Sequence, residues 1–198
     1  MEVRRRTQAE RNAATRGALV AAARPLFAER GFAAVGTPEI ARAAGVTRGA
    51  LYHQFADKTA LFAAVAEAVE AGVTQQIIDD VATAAPRDPA AALHVAVDAW
   101  FGACENPEAR RVLLLDAPVV LGWDGFRDLA LQYGLGLTEQ LLQAAIDAGQ
   151  LIALPVRPFA HVLVGALQEA ALVITDDPGA RADTARVVHA IVDGLRTA

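Results

Sequence analysis

The chain has 198 residues, 54% of them hydrophobic, which is enough apolar material for a packed core without covalent cross-links. Cys104 is its one cysteine, so an intramolecular disulfide is excluded and a reducing, cytoplasmic compartment is favoured. The arginines at positions 4–6 are not followed by an apolar run of secretory length, because Arg24 interrupts it. We therefore expect a cytoplasmic protein.

The charge is unevenly distributed along the chain. The formal net charge is -5, yet residues 1–60 contain ten Arg or Lys against five Asp or Glu, a balance of +5. The remainder is correspondingly acidic. A basic N-terminal part on an acidic body is suited to binding a polyanion with one end only, although a solvated surface of uneven charge would give the same count.

The most apolar segment covers residues 159–174. It contains His161, Gln168 and Glu169 and is shorter than the roughly 20 apolar residues that a membrane span needs. We interpret it as a buried core helix, and we expect no membrane association.

Helical periodicity begins near the N-terminus. Leu19, Ala23 and Phe27 share one helical face, and this first helix is expected to end at residues 29–31, where Gly31 suits a C-cap. Pro25 lies inside the pattern and removes one backbone hydrogen bond, so we expect a kink or a break there.

Three further helices follow with clear start signals. Thr37 and Pro38 are typical of an N-cap and a first helical residue, Thr47 of the cap of a short third helix, and Asp57 of the cap of a long fourth helix. The fourth helix has an apolar stripe that could connect the N-terminal part rigidly to the body. That stripe consists of Phe62, Val65, Val69, Val73, Ile77 and Val81.

The rest of the chain repeats the helical pattern. The expected helices cover residues 90–105, 107–116, about 123–149, 159–175 and 179–196. The sequence therefore predicts an all-α protein of about nine helices. We expect an N-terminal three-helix domain at residues 1–60 and a helical C-terminal domain at 61–198.

The last two helices, at about 158–175 and 179–196, are candidates for a dimer interface. The first of them is apolar nearly all round and has small residues at Gly165 and Ala170, so it needs burial on two sides. A symmetry mate could cover the second side in a four-helix interface, and full burial inside one subunit is the alternative.

The most informative segment covers residues 37–58. Two short helices meet at Gly45, and Ile40 on the first helix can pack on Leu51 and Phe55 of the second. The other face of the second helix is polar, a pattern typical of a helix that enters the major groove of DNA. Gly49 on that face costs about 1 kcal/mol of helix stability relative to alanine, and close approach to DNA would explain it.

This segment resembles the TetR family of bacterial regulators. The resemblance rests on Ile40-Ala41, residues 44–46, Leu51-Tyr52, Phe55 and Lys58 at these spacings, and it extends over about residues 13–65. It implies a helix-turn-helix, a dimer, and a C-terminal domain that binds a small molecule. It does not identify that molecule.

The resemblance also implies roles for single residues. Thr47 and Arg48 should reach base edges or nearby phosphates, because arginine can bond the O6 and N7 atoms of guanine together. A flexible arm at residues 4–6 could add phosphate or minor-groove contacts, or could simply be solvated. The expected DNA-binding residues are Thr37, Thr47, Arg48, Gly49, Tyr52, His53 and Lys58.

An effector pocket is expected among the helices from about residue 90 to 175. Large aromatic side chains could line it and polar side chains could anchor a ligand, although each of these residues alone could equally be part of the core. Asp116 could anchor a ligand or cap a turn before Pro118. The candidate ligand-binding residues are His94, Trp100, Asp116, Trp123, Tyr133 and Gln168.

Two other function classes are weaker alternatives. An enzyme has little support, because the chain has no serine, its one lysine lies in the DNA-binding motif, and its histidines have no metal-ligand spacing with Cys104. No cofactor or metal is therefore expected. A DNA-binding adaptor without a ligand is the other alternative, and a filled body without a cavity would favour it.

Overall fold

The computed structural model describes residues 7–197, and helices dominate that range. The only extended pairing within it is an isolated bridge between Leu151 and Arg196. The described residues form nine helices in succession, which confirms the all-α prediction. They are α1 (Gln8–Ala34), α2 (Thr37–Ala43), α3 (Arg48–Gln54), α4 (Lys58–Ala84), α5 (Pro89–Glu105), α6 (107–120), α7 (Gly122–Asp147), α8 (Val156–Asp176) and α9 (Arg181–Asp193).

Helix α6 changes its winding along its length. It runs from Pro107–Ala109 through the π-helical stretch Arg110–Asp116 into Ala117–Val120. The wide turn ends beside Pro118, which has no amide hydrogen to donate back along an α-helix. Gly122, with φ 71°, then turns the chain into α7.

The predicted caps of α3 and α4 are confirmed. The Ala50 amide donates to Thr47 Oγ1 over 3.1 Å, and the Ala60 amide donates to Asp57 Oδ1 over 2.7 Å. The prediction for α2 was wrong, because its N-cap is Gly36 and Thr37 is its first helical residue. The Thr37 hydroxyl is consequently available for a tertiary contact.

The break in α1 lies at Gly31 and not at Pro25. Gly31 has φ 76° and ψ 165°, and every other residue of α1, including Pro25, keeps a helical backbone. A Cβ on Gly31 would lie 1.8 Å from Nη2 of Arg111, so α6 packs directly against the bend. Glycine is required there both for its dihedral angles and for space.

One continuous core joins the N-terminal helices, here called the head (α1–α3), to the remaining helices, here called the body (α4–α9). Phe27 and Phe32 of α1 and Phe62 of α4 form an aromatic cluster with ring centroids 5.3–5.9 Å apart. The same core includes Val112 of α6 and Phe126 of α7. The division at residue 60 falls in the first turn of α4 and stays a prediction.

Helices α4 and α8 have the length and hydropathy of a membrane span. Helix α8 has 21 residues, more than the sequence suggested, so its length does not exclude a span. Both helices nevertheless pack in the bundle, where 44% of the most apolar window of α4 and 39% of that of α8 is buried. This half-burial favours core helices that keep one face on the surface.

Candidate functional site

The helix-turn-helix is held by a tight turn and a small apolar contact. Gly45 has φ 67°, and the Val46 amide donates to the Ala41 carbonyl over 2.9 Å. Ile40 on α2 and Leu51 on α3 are completely buried. The two helices are thereby fixed relative to each other, and the opposite face of α3 is left to the solvent.

The exposed face of α3 presents the residues that the sequence singled out. Arg48 and His53 are exposed, and Tyr52 is 42% exposed although it is a large aromatic. Thr47 is exposed as well, with its hydroxyl oxygen occupied by the cap of α3. Donors and an aromatic ring on the outer face of a short helix can meet base edges and phosphates.

Tyr52 is positioned by two neighbours. Its hydroxyl lies 3.0 Å from Oγ1 of Thr37, and the Arg48 guanidinium lies 5.5 Å from its ring centroid. These contacts lower the pKa of Tyr52, the hydrogen bond with Thr37 most and Arg48 next. Thr37 is itself buried, so it orients Tyr52 at the surface more readily than it could meet a phosphate.

Lys58 is engaged inside the head. Its ammonium donates to the carbonyls of Phe32 and Val35 over 2.8 and 3.0 Å and lies 4.0 Å from the Phe32 ring centroid. Two of its three N–H donors are thus used to hold the end of α1. The expected phosphate contact would fall to the remaining donor, so Lys58 first serves the geometry of the head.

Gly49 is not required by the fold. It sits in the first turn of α3, its φ is not positive, and a Cβ there would meet only Thr47 Oγ1, at 3.9 Å. The structure therefore offers no internal reason for glycine. The arginine arm at residues 4–6 lies outside the described residues.

The head and the body meet at α6 through polar contacts. Asp116 Oδ2 accepts the Phe32 amide hydrogen over 2.7 Å and lies 3.4 Å from Nε of Arg111. Arg24 of α1 forms a bidentate pair with Glu108 over 2.6 and 2.7 Å. The expectation that Asp116 lines an effector pocket was wrong, because its carboxylate is turned towards the bend of α1.

A cavity opens in the middle of the body, between α4, α5, α7 and α8. The cavity itself has a volume of about 70 Å³, and the gaps between the lining side chains together with the open solvent at its mouth bring the unfilled space to about 650 Å³. Its walls are almost entirely apolar, and its polar groups are few. The lining residues are Glu70, Thr74, Ile77, Leu93, Ala96, Val97, Trp100, Ala130, Gly134, Leu137, Thr138, Leu141, Leu163, Val164, Leu167 and Gln168.

A smaller cavity adjoins the first and reaches α6. It shares Glu70, Trp100, Ala130 and Gln168 with the main cavity, and its other lining residues include Leu113 and Leu114 of the π-helical stretch. The same stretch ends at Asp116, which holds the head. One short segment therefore touches a cavity wall and the junction with the head.

Sequence reasoning missed Glu70. It is 5% exposed, and desolvation by burial raises its pKa to about 7. A signal was present, because Glu70 follows Phe62 and Ala66 at intervals of four residues on a buried face of α4. An acidic side chain in that pattern marks a buried ionisable group.

Some of the predicted pocket residues line the main cavity, and others lie elsewhere in the structure. Trp100 and Gln168 line the main cavity, where Trp100 Nε1 donates to the Leu167 carbonyl over 3.3 Å. Trp123 is 66% exposed on the outside of α7, and Tyr133 packs half-buried against the head-to-body core, so neither lines it.

His94 also lies away from the cavity. It stacks on His189 of α9 with ring centroids 4.7 Å apart, and its Nε2 lies 3.2 Å from Oδ1 of Asp193. His94 therefore joins α5 to α9, and its expected role as a ligand anchor was wrong.

The last two helices leave an apolar surface uncovered. On α8, Val162 and Val173 are 71% and 43% exposed, and on α9 Val187 and Ile191 are 59% and 49% exposed. The opposite side of α8 is buried in the body through residues such as Leu163 and Ala171. Each helix thus has apolar residues on its inner side, where they pack in the body, and also on its outer side.

Two family profiles match this architecture. The profile of "Bacterial regulatory proteins, tetR family" matches residues 19–65, and that of "Tetracyclin repressor-like, C-terminal domain" matches residues 90–196. The second match alone covers more than half of the chain. The chain belongs to the TetR family. TetR-family proteins are DNA-binding transcription regulators, so the resemblance drawn from the helix-turn-helix is confirmed.

Two curated regulators are similar to part of the chain. The regulator CymR of Pseudomonas putida is 39% identical over 88 residues, and AcrR of Shigella flexneri is 34% identical over 100 residues. These alignments cover 44% and 50% of this chain and 43% and 46% of the two relatives, so the chain matches less than half the length of either.

Solved structures extend the similarity to the body. A TetR-family regulator of Pectobacterium atrosepticum is 31% identical, with a TM-score of 0.84 over 98% of this chain and 99% of that one. RolR, solved in complex with resorcinol, has a TM-score of 0.78 at 19% identity over 96% of this chain and 90% of its own, which shows the shared fold.

Proposed function

We propose that this protein is a cytoplasmic transcriptional repressor that binds a near-palindromic operator as a homodimer and is released from it by a small molecule. The observation that supports this most is the exposed face of α3. Arg48, Tyr52 and His53 project from a helix whose other face is fixed by buried Leu51 and Phe55. That arrangement suits insertion into a major groove.

The proposed contacts follow from what each side chain can reach. Arg48, on the first turn of α3, would read a guanine, and Tyr52 and His53 would contact phosphates. Thr37 would orient Tyr52, and Lys58 would fix the end of α1 with one donor left for a phosphate. Gly49 would allow the backbone of α3 to approach the DNA closely.

The dimer would form through α8 and α9. Their outer valines and isoleucine, Val162, Val173, Val187 and Ile191, are the apolar surface that a symmetry mate would cover. A two-fold axis through this interface would present two heads to two half-sites, which is why a near-palindrome is expected.

The cavity supports a sensor over a ligand-free adaptor, because an adaptor needs no apolar space at the centre of its body. Release would work as a population shift, in which the ligand prefers an arrangement of the heads that does not fit the operator. Helix α6 is the proposed connection, since Leu113 and Leu114 border the smaller cavity and Asp116 holds the bend of α1.

The test is fluorescence anisotropy of the protein on the DNA that flanks its own gene, across a salt series. Roughly six phosphate contacts per dimer predict a slope of log K against log salt near -5. Arg48→Ala should cost about 1–3 kcal/mol per half-site, whereas Arg87→Ala, an 82% exposed arginine side chain of the body, should leave the affinity unchanged. Weak, salt-insensitive binding that Arg48→Ala does not alter would contradict the proposal.

A further inference from the structure

Glu70 is a buried acidic residue of the body for which the packing offers no reason. It lies at the middle of α4 and borders both the main cavity and the smaller one beside α6. Only 5% of it is exposed. Its carboxyl group is the one acidic or basic group in the lining of these two cavities.

No described side chain neutralises this carboxyl group. Among residues 7–197 no Arg, Lys or His forms an ion pair or a hydrogen bond with it, and the titratable groups that sense its charge are Cys104 of α5 and Tyr133 of α7. Both of these have raised pKa values and are neutral near pH 7, and Glu67, one turn earlier on α4, is acidic and exposed.

A buried carboxyl group without a partner destabilises the native fold, because it loses hydration and gains no compensating bond. Nothing in the packing of α4 requires an acid, since its helical neighbours Ala66, Val69 and Val73 are buried and apolar. A ligand that supplies the missing charge would recover the lost interaction at this position.

We propose that the cavity binds an apolar organic cation, a hydrophobic amine in its ammonium form, with Glu70 as the counterion. This inference rests on the proposed sensor function and specifies the chemical class of the effector. The apolar walls would bury the hydrocarbon part of the ligand. Trp100 lines the same space and offers an aromatic face for the cation, and Gln168 offers a side-chain carbonyl that accepts an N–H.

Other ligand classes fit these walls less well. An anion would meet the Glu70 charge without any described basic group in the lining to offset it. A neutral hydroxyl compound could donate one hydrogen bond to the carboxyl group but would leave its charge uncompensated. Charge is therefore the property that distinguishes the three classes.

Three compounds with one hydrocarbon part and different head groups provide the test. 2-Phenylethylamine, 2-phenylethanol and phenylacetate are titrated into the full-length protein by calorimetry at pH 8. We expect the amine to bind at least about 10-fold more tightly than the alcohol, a difference of about 1.4 kcal/mol, and phenylacetate to bind most weakly.

The pH dependence gives a second readout. Glu70 titrates near pH 7 and an aliphatic ammonium keeps its proton up to about pH 10, so of these two groups only the carboxyl group changes its charge between pH 6 and 8. Ionised Glu70 favours the amine, so the affinity for the amine should fall about 10-fold from pH 8 to pH 6. The affinity for the alcohol should not fall.

Glu70→Gln removes the charge and keeps the shape. It should abolish both the preference for the amine and the pH dependence while leaving the affinity for the alcohol within about 2-fold. Glu67→Gln makes the same change at an exposed position of the same helix and should leave all three affinities unchanged. Because Gln removes a buried charge, the variant is expected to fold, and its melting temperature checks this.

The inference is overturned if the alcohol or phenylacetate binds as tightly as the amine, if Glu70→Gln leaves the affinity for the amine unchanged, or if the amine does not bind at millimolar concentration. These outcomes are separate from a failure of the proposed function, which is measured as operator binding in the absence of any compound. If a neutral compound binds the protein and releases it from DNA, the effector is not a cation, but the proposed sensor function still holds.

Discussion

The head and the body differ in how their functional residues are arranged. In the head, the residues proposed to meet DNA lie within one segment of 22 residues, and Arg48, Tyr52 and His53 share the exposed face of one short helix. In the body, the cavity is assembled from four helices whose lining residues are spread from position 70 to 168, and its most unusual residue, Glu70, is buried. A contiguous, exposed site is visible in a sequence pattern, whereas an assembled, buried site depends on packing that the pattern does not contain.

The largest effect is expected at the proposed dimer interface, which would join two heads through their bodies. Val187→Asp places a charge on the exposed apolar side of α9, and we expect it to separate the dimer. Losing one of two half-sites should lower operator affinity by at least about 100-fold. Sedimentation velocity reports the dimer, and anisotropy reports operator affinity.

Val119→Asp is the matched control for the interface. Val119 is 83% exposed, more than Val187 at 59%, but it lies on α6 and outside α8 and α9. It should leave the dimer intact. A Val187→Asp variant that remains dimeric would refute the proposed interface.

In the body, a substitution of Glu70 tests whether its burial destabilises the native state. Its pKa rises from the ordinary 4.5 to about 7 on folding, so the native state binds more protons than the unfolded state between these values. The stability of the wild type therefore falls as the pH rises from 4.5 to 7. Glu70→Gln should recover about 3 kcal/mol at pH 8 and almost nothing at pH 4.5.

Urea unfolding at both pH values measures the effect of Glu70→Gln. Glu67→Gln, at an exposed position, should change stability little at either pH. An equal gain for Glu70→Gln at pH 8 and pH 4.5 would show that desolvation of the carboxylate is not the cause.

In the head, a substitution of Gly49 is expected to have the smallest effect on stability. A Cβ has room there, so Gly49→Ala should stabilise the head by about 1 kcal/mol. If the backbone of α3 approaches DNA closely, the same change should weaken operator binding, so that stability and function move in opposite directions.

Gly102→Ala is the control for Gly49→Ala. It is a helical glycine of α5 with no atom within 4 Å of its Cβ position, and it should stabilise the fold without changing operator affinity. Gly49→Ala protein that binds the operator as tightly as the wild type would remove close approach as the reason for glycine.

The structure also shows for which kinds of residue the contacts can be predicted from the sequence. Thr47 and Asp57 were predicted as caps because a cap depends on neighbours within three residues. Asp116 was expected in the pocket, but its partner Phe32 is 84 residues away, and no local pattern contains that distance. His94, which pairs with α9, was misplaced for the same reason.

Thr37 shows that the side-chain role at a helix start is harder to predict than the position of the helix. Its position at the start of α2 was nearly right, but Gly36 took the cap and freed the hydroxyl for Tyr52. Because of this shift of one residue, the Thr37 hydroxyl bonds Tyr52, whereas a phosphate contact was expected. Helix positions can be predicted more closely than the direction of the side chains at their ends.

We propose that ligand binding in the cavity and DNA binding by the head are coupled through α6. The most direct test measures the affinity for whichever of the three phenyl compounds binds best, with and without saturating operator DNA, and the affinity for operator with and without that compound. Coupling between sites is reciprocal, so we expect the same factor in both titrations, at least about 5-fold. Asp116→Ala should bring that factor close to one, and Asp128→Ala, at an exposed position of α7, should not. A compound that binds the wild type equally well with and without operator would show that the cavity and the head are not coupled.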